Sequence, residues 1–169
     1  MPTGGHNIYP ATAPMLYVGG NFLETPKTRN IKFTQDNIDN VFETLISTDN
    51  DLKDLFANYI KEEYKNGQSE RHNYFDISEI SKYLISKLKI GKTENFYTFF
   101  DAVESILIDC DSEIEDLIVV GLFEGIQNIG GREINYYLSF DRWLKPLSKS
   151  RWDKLIDFWE GEDWRSIRD

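Results

Sequence analysis

Few side chains in this 169-residue chain stand where they could do chemistry. The two histidines, His6 and His72, lie in loop-like surroundings, with no second ligand at the spacing a metal site requires. Cys110, the single cysteine, has no histidine near it in sequence and follows the apolar face of a helix, where a thiol acts as a small hydrophobe rather than a nucleophile. The run "DCDSEIED" (109–116) invites comparison with a calcium loop. Such a loop needs glycine at its sixth position and glutamate at its twelfth. Counted from Asp109, those positions hold Ile114 and Val120, so the run reads instead as carboxylates at a helix N-terminus, where the helix dipole favours them. Glu124 and Asn128, one helical turn apart with Gln127 beside them, are polar groups on an otherwise apolar helix and suit a hydrogen-bonded pair. No phosphate-cradling glycine loop, dinucleotide fingerprint or nucleophile elbow is present. The sequence therefore predicts a non-enzymatic protein that needs no metal or cofactor.

The strongest chemical feature is the distribution of charge. The chain carries a formal net charge of −10, which opposes direct binding to nucleic acid and favours basic partners. No lysine or arginine occurs between Lys92 and Arg132, while Glu94, Asp101, Glu104, Asp109, Asp111, Glu113, Glu115, Asp116 and Glu124 all fall there. Carboxylates that only solvate a helix are usually interspersed with lysines at i,i+4. Lacking them, this stretch predicts an acidic surface that steers a partner. Asp109, Asp111, Glu113, Glu115, Asp116 and Glu124 are its candidate contact residues. All four tryptophans lie between Arg142 and Trp164. Trp152 and Trp159 share a helical face with Leu155 and Ile156 and are expected in the core, and Trp143 is expected to anchor a turn. Trp164, beyond Gly161 in a polar tail, is expected to be exposed and to join the contact residues, because tryptophan is enriched at binding hot spots.

The elements that must position these residues are helical. Residues 1–31 hold four glycines and four of the five prolines without helical periodicity, and read as an arm or short β-hairpin around Gly19-Gly20. Residues 32–169 read as one helical domain of about six helices. Ile38, Val41, Phe42, Leu45 and Ile46 mark the first, and Leu52, Leu55, Phe56, Tyr59 and Ile60 the second. A polar loop, "KNGQSERHNYFD", follows. Ile77, Ile80, Tyr83, Leu84 and Leu88 give a third helix stopped near Gly91; Phe96, Phe99, Phe100, Val103, Ile106 and Leu107 give a fourth. The fifth, over 112–128, is apolar almost all round and so is expected to be central and buried. Ser112 and Glu115 form a capping-box pattern at its start. Gly121 and Gly125 offer a close approach to another helix, and "NIGG" offers a left-handed stop. "EINYYLSF" reads as a strand or extended link, Pro146 as a break, and Ser148 or Ser150 as the cap of a last helix ended by Gly161.

"DLIVVGLFEGIQN" followed by "FDRWLKPLSKSRWDKLIDFWEG" resembles a set of small bacterial helical proteins in which a buried helix with a Glu and a Gln-Asn end precedes a turn and a Trp-containing helix ending in Phe-Trp. Here the turn reads Leu144-Lys145-Pro146, without the glycine of that pattern. The resemblance spans about residues 93–161. In size, acidity and helicity these proteins are similar to immunity proteins that neutralise toxins of bacterial competition systems. That likeness implies a cytoplasmic inhibitor that occludes a basic toxin domain, without nucleic-acid or membrane binding, and it brings no catalytic residues. The absence of a basic, then apolar, N-terminal leader and of any long apolar run agrees with that location. The alternative function is a structural or adaptor subunit that inserts the 1–31 arm into an assembly.

Overall fold

The computed structural model describes residues 33–65 and 67–167. The arm or hairpin expected over 1–31 lies outside them. Within them the chain is mainly helical, as expected, and its only β-type pairing is an isolated parallel bridge between Phe33 and Cys110.

A single 3₁₀ turn (Gln35–Asn37) leads into α1 (Ile38–Ile46), which buries Val41, Phe42, Leu45 and Ile46. α2 (Asn50–Glu63) starts at Asp49, whose carboxylate accepts the Asp51 N–H at 2.9 Å, and buries Leu52 and Phe56. Leu55, expected on the same face, is exposed. α3 (Asn73–Lys89) begins four residues before Ile77, so the last part of the expected polar loop is its first turn. α3 ends beside Gly91, whose φ of +71° only glycine adopts without strain. α4 (Phe96–Asp109) buries the six apolar residues expected of it.

The central rod is built of α5 (Ser112–Asp116), a π-helical segment (Leu117–Phe123) and α6 (Glu124–Gly130), helical throughout. It buries Ile114, Leu117, Ile118, Leu122, Phe123 and Ile126. α3 packs along it in parallel: Ile77 faces Gly121, Ser81 faces Gly125, and Ile85 faces Gly130. A Cβ at Gly121 would sit 2.7 Å from Ile77 Cγ2, and one at Gly125 would sit 2.8 Å from Ser81 Oγ. The two glycines thus permit the approach, and the Ser81 hydroxyl donates to the Leu122 carbonyl at 3.1 Å across it.

Three local expectations are corrected. The rod is capped by Asp111, whose Oδ1 accepts the Ile114 N–H at 3.0 Å, because Asp111 is the last residue with extended backbone. Ser112 is already inside the helix. The rod does not end in a left-handed glycine: Gly131 has φ −59°, and glycine is needed there because a Cβ would meet the Gln127 carbonyl oxygen at 2.8 Å. Residues 133–144 form successive turns rather than a strand, with the Asn135 side chain accepting the Tyr137 N–H at 3.1 Å.

α7 (Pro146–Glu160) starts at Pro146, ahead of the cap expected at Ser148 or Ser150, because the first helical position needs no N–H; Ser148 and Ser150 are already inside the helix. Ser148 Oγ accepts the Lys145 N–H at 2.9 Å. The main cap comes from α4, where the two oxygens of Glu104 accept the N–H groups of Leu147 (2.8 Å) and Ser148 (2.7 Å). α7 closes the core by placing Trp152 against Phe123 and Phe140, while Phe96, Phe140 and Trp143 pack beside it. Each such buried ring stabilises the fold by about 1.5–3 kcal/mol. Gly161 (φ +74°) reverses the chain into a C-terminal 3₁₀ helix (Glu162–Ile167).

Candidate protein-interaction surface

The acidic stretch divides when it folds. Some of its carboxylates are committed to structure. Glu104 caps α7, and Asp101 pairs with Lys145 at 2.9 Å. Glu115 pairs with Arg151 of α7 at 2.5 Å. Asp111 caps its own helix. Glu124 is half-buried and accepts from Asn128 Nδ2 at 3.3 Å. The expectation that this negative charge is uncancelled therefore needs correction: bases 36 to 44 residues further along the chain return to it. Of the expected contact residues, Asp109, Glu113 and Asp116 remain exposed and outside any ion pair among the described residues.

These three sit at the corner between α4 and the rod. The corner is held by the Phe33–Cys110 bridge, in which the Asp111 N–H donates to the Phe33 carbonyl at 3.0 Å. Burial pushes the Cys110 thiol above its ordinary pKa, and the Glu115 and Asp111 charges add to the effect. The thiol therefore stays protonated, a poor nucleophile, and it faces the Leu107 carbonyl.

Beside the corner the first turn of α3 presents two aromatic rings to solvent, Tyr74 (51% exposed) and Phe75 (67%). Sequence reading missed them because it assigned "NYFD" to the loop; two adjacent aromatics at a helix start were the available signal. Ile38, Asn73, Tyr74, Glu113, Asp116 and Leu117 line an open cleft of about 170 Å³. Partial burial of Tyr74, with the Asp116 and Glu113 charges nearby, pushes its phenol pKa upward. The anchor of this turn is Asp76, fully buried and also missed. Its carboxylate accepts from Tyr59 (3.1 Å), Tyr64 (2.5 Å) and Arg71 Nε (2.9 Å). Arg71 reaches on to Asp39 at 3.1 Å and lies over the Phe42 ring. His72 is the N-cap residue of α3; its N–H donates to the Tyr64 hydroxyl and its ring meets Phe75 edge-on.

The tryptophan expectations are half corrected. Trp152 is buried as expected, and Trp143, expected to anchor a turn, is buried against Phe96. Trp164, expected outside, is 1% exposed, because the chain reversal at Gly161 lays it on Tyr137 (centroids 5.5 Å, 14° between planes). Its indole N–H donates to Asp157 at 2.7 Å, and Arg165 pairs with the same carboxylate. Trp159, expected in the core, is 59% exposed beside Phe158 (77%), because no described residue covers that side of the last turn of α7. His6 lies outside the described residues. Among the described residues no three His, Cys, Asp or Glu side chains gather to hold a metal ion, and no helix is long and apolar enough to cross a membrane.

The described residues define a small helical domain whose surface carries exposed aromatic rings beside free carboxylates at the Tyr74 cleft. The chain belongs to the family described as a domain of unknown function, DUF7674, whose model matches residues 42–160. That match takes in α2, α3, α4, the rod and α7. No curated protein and no solved structure matches.

Proposed function

We propose that this protein is an immunity-type inhibitor that acts in the cytoplasm by binding and occluding a basic toxin domain. The observation that carries the reading is the exposure of Asp109, Glu113 and Asp116 where α4 turns into the rod, with the exposed Tyr74 ring lining a cleft beside Glu113 and Asp116. Carboxylates outside ion pairs steer a basic partner, and exposed aromatic rings supply contact energy once the partner excludes water. Nothing in this role requires a cofactor.

The test is calorimetry and stopped-flow association with the product of the adjacent gene, at 50 mM and 300 mM salt. Asp109, Glu113 and Asp116 are replaced together by lysine. Asp111 is left intact because it caps the rod. The expected result is tight binding whose association rate falls about tenfold or more at low salt in the triple variant. Unchanged association and affinity would remove the acidic face from the proposal.

A further inference from the structure

The cleft beside Tyr74 has a lining that selects its occupant. Its apolar lining comes from Ile38 and Leu117. Tyr74 forms one wall and lies along the rod, its Cδ1 3.5 Å from where a side chain at Gly121 would begin. Glu113 and Asp116, three apart on one helical face, and the Asn73 amide complete the rim. At about 170 Å³ the space far exceeds the roughly 10–15 Å³ that admits one water.

An anion would be repelled here, and a purely apolar group would strip water from two carboxylates without replacing it. Among the described residues a metal ion would find two carboxylates and no third acidic, His or Cys side chain beside them. A flat cation on an apolar stem meets every surface: methylenes on Ile38 and Leu117, the charge over the Tyr74 ring, and N–H donors toward Glu113 and Asp116. Guanidinium suits this better than ammonium, because it is planar, weakly hydrated and carries five donors in a fixed fork. The chain does not fill the cleft with Arg71, which is committed to Asp76 and Asp39.

We propose that the Tyr74 cleft is a receptor for an arginine side chain of the partner protein. This rests on the protein-binding reading above, but its test needs no partner. The full chain, labelled with ¹⁵N and with ¹³C in its tyrosine rings, is titrated with N-acetyl-arginine-methylamide, the lysine analogue and the neutral citrulline analogue at low salt. The expected result is saturable shifts of the Tyr74 ring and Asn73 amide signals with arginine, binding of lysine about two- to fivefold weaker, and no saturation with citrulline. Glu113→Gln and Asp116→Asn should each raise the dissociation constant about two- to fivefold. Tyr74→Leu should do the same and Tyr74→Phe should preserve binding. Equal shifts with citrulline, or arginine shifts that spread over Asp109 and survive Tyr74→Leu, would overturn the cleft. A toxin that binds wild type and Tyr74→Leu equally would also overturn it, while leaving the inhibitor reading intact.

Discussion

Removing the Glu104 carboxylate should destabilise the protein although Glu104 sits in the stretch with the strongest claim to be a binding face. Its two oxygens satisfy two of the first backbone N–H groups of α7, at 2.8 and 2.7 Å. A single neutral cap contributes about 1 kcal/mol, and a hydrogen bond to a charged group about 1.5–3 kcal/mol. The site is half-buried, so water will reach the freed N–H groups in part. Glu104→Ala should therefore cost about 2 kcal/mol, and Glu104→Gln about half as much, since the amide keeps one acceptor. In a domain of this length, 2 kcal/mol lowers the melting temperature by about 4–8 °C. Urea unfolding followed by circular dichroism gives the free energy, and an unchanged m-value shows that the unfolded reference is the same. Asp109→Ala, in the same acidic stretch but exposed, is the control and should stay within about 0.5 kcal/mol of wild type. A Glu104→Ala loss no larger than that of the control would refute the division between structural and surface carboxylates.

The remaining predictions concern the helix contact, the buried carboxylate, acid stability and the tryptophans. Gly121→Ala should cost about 1–2 kcal/mol, because its Cβ would lie 2.7 Å from Ile77 Cγ2 inside the core. Gly125→Ala should be partly relieved by Ser81→Ala, so a double-mutant cycle in urea should show coupling; additive losses would contradict the close approach. Asp76→Asn should cost about 3 kcal/mol by leaving Arg71 unpaired, the low end for a buried pair because Arg71 is a third exposed; denaturation midpoints of the two proteins check this. Although burial opposes it, hydrogen bonds from Asn95, Tyr83 and the Asp51 and Leu52 N–H groups hold the Asp49 carboxyl below its ordinary value of 3.8. The unfolded chain thus takes up this proton first as pH falls, so stability present above about pH 4 is lost through the folded pKa. Denaturation from pH 5 to pH 3 should be less pH-dependent in Asp49→Asn, and an identical slope would contradict this. Acrylamide should quench chiefly Trp159, the one exposed tryptophan, so Trp159→Phe should leave a largely protected emission.

Helical periodicity made most of this fold legible, because each helix buries one face against its neighbours. The six buried positions of α4 and the Gly121–Gly125 pair could be read directly from spacing. What could not be read depended on partners distant in sequence. Lys145 and Arg151 return to Asp101 and Glu115 from 44 and 36 residues away, so counting i,i+4 neighbours overstated the free negative charge. Helical spacing puts Trp152 and Trp159 on one face, but periodicity does not say how far along a helix its neighbours reach, and only Trp152 is buried. The burial of Trp164 is not legible because periodicity also ends at Gly161, whose positive φ folds the tail back. Tyr74 and Phe75 were hidden in an apparent loop whose last residues form a helix, anchored by the buried Asp76.

The parallel seating of α3 on the rod also sets a timetable for synthesis. Ser81 and its partner Leu122 are 41 residues apart, with the whole of α4 between them. At roughly 5–20 residues per second, a ribosome needs about 2–8 s to make that interval. For that time Ile77, Ile80 and Ile85 have emerged without the surface they are shaped to meet. A chaperone that recognises short apolar helices would find its best opportunity in this nascent segment, and a pause placed before the rod would lengthen it.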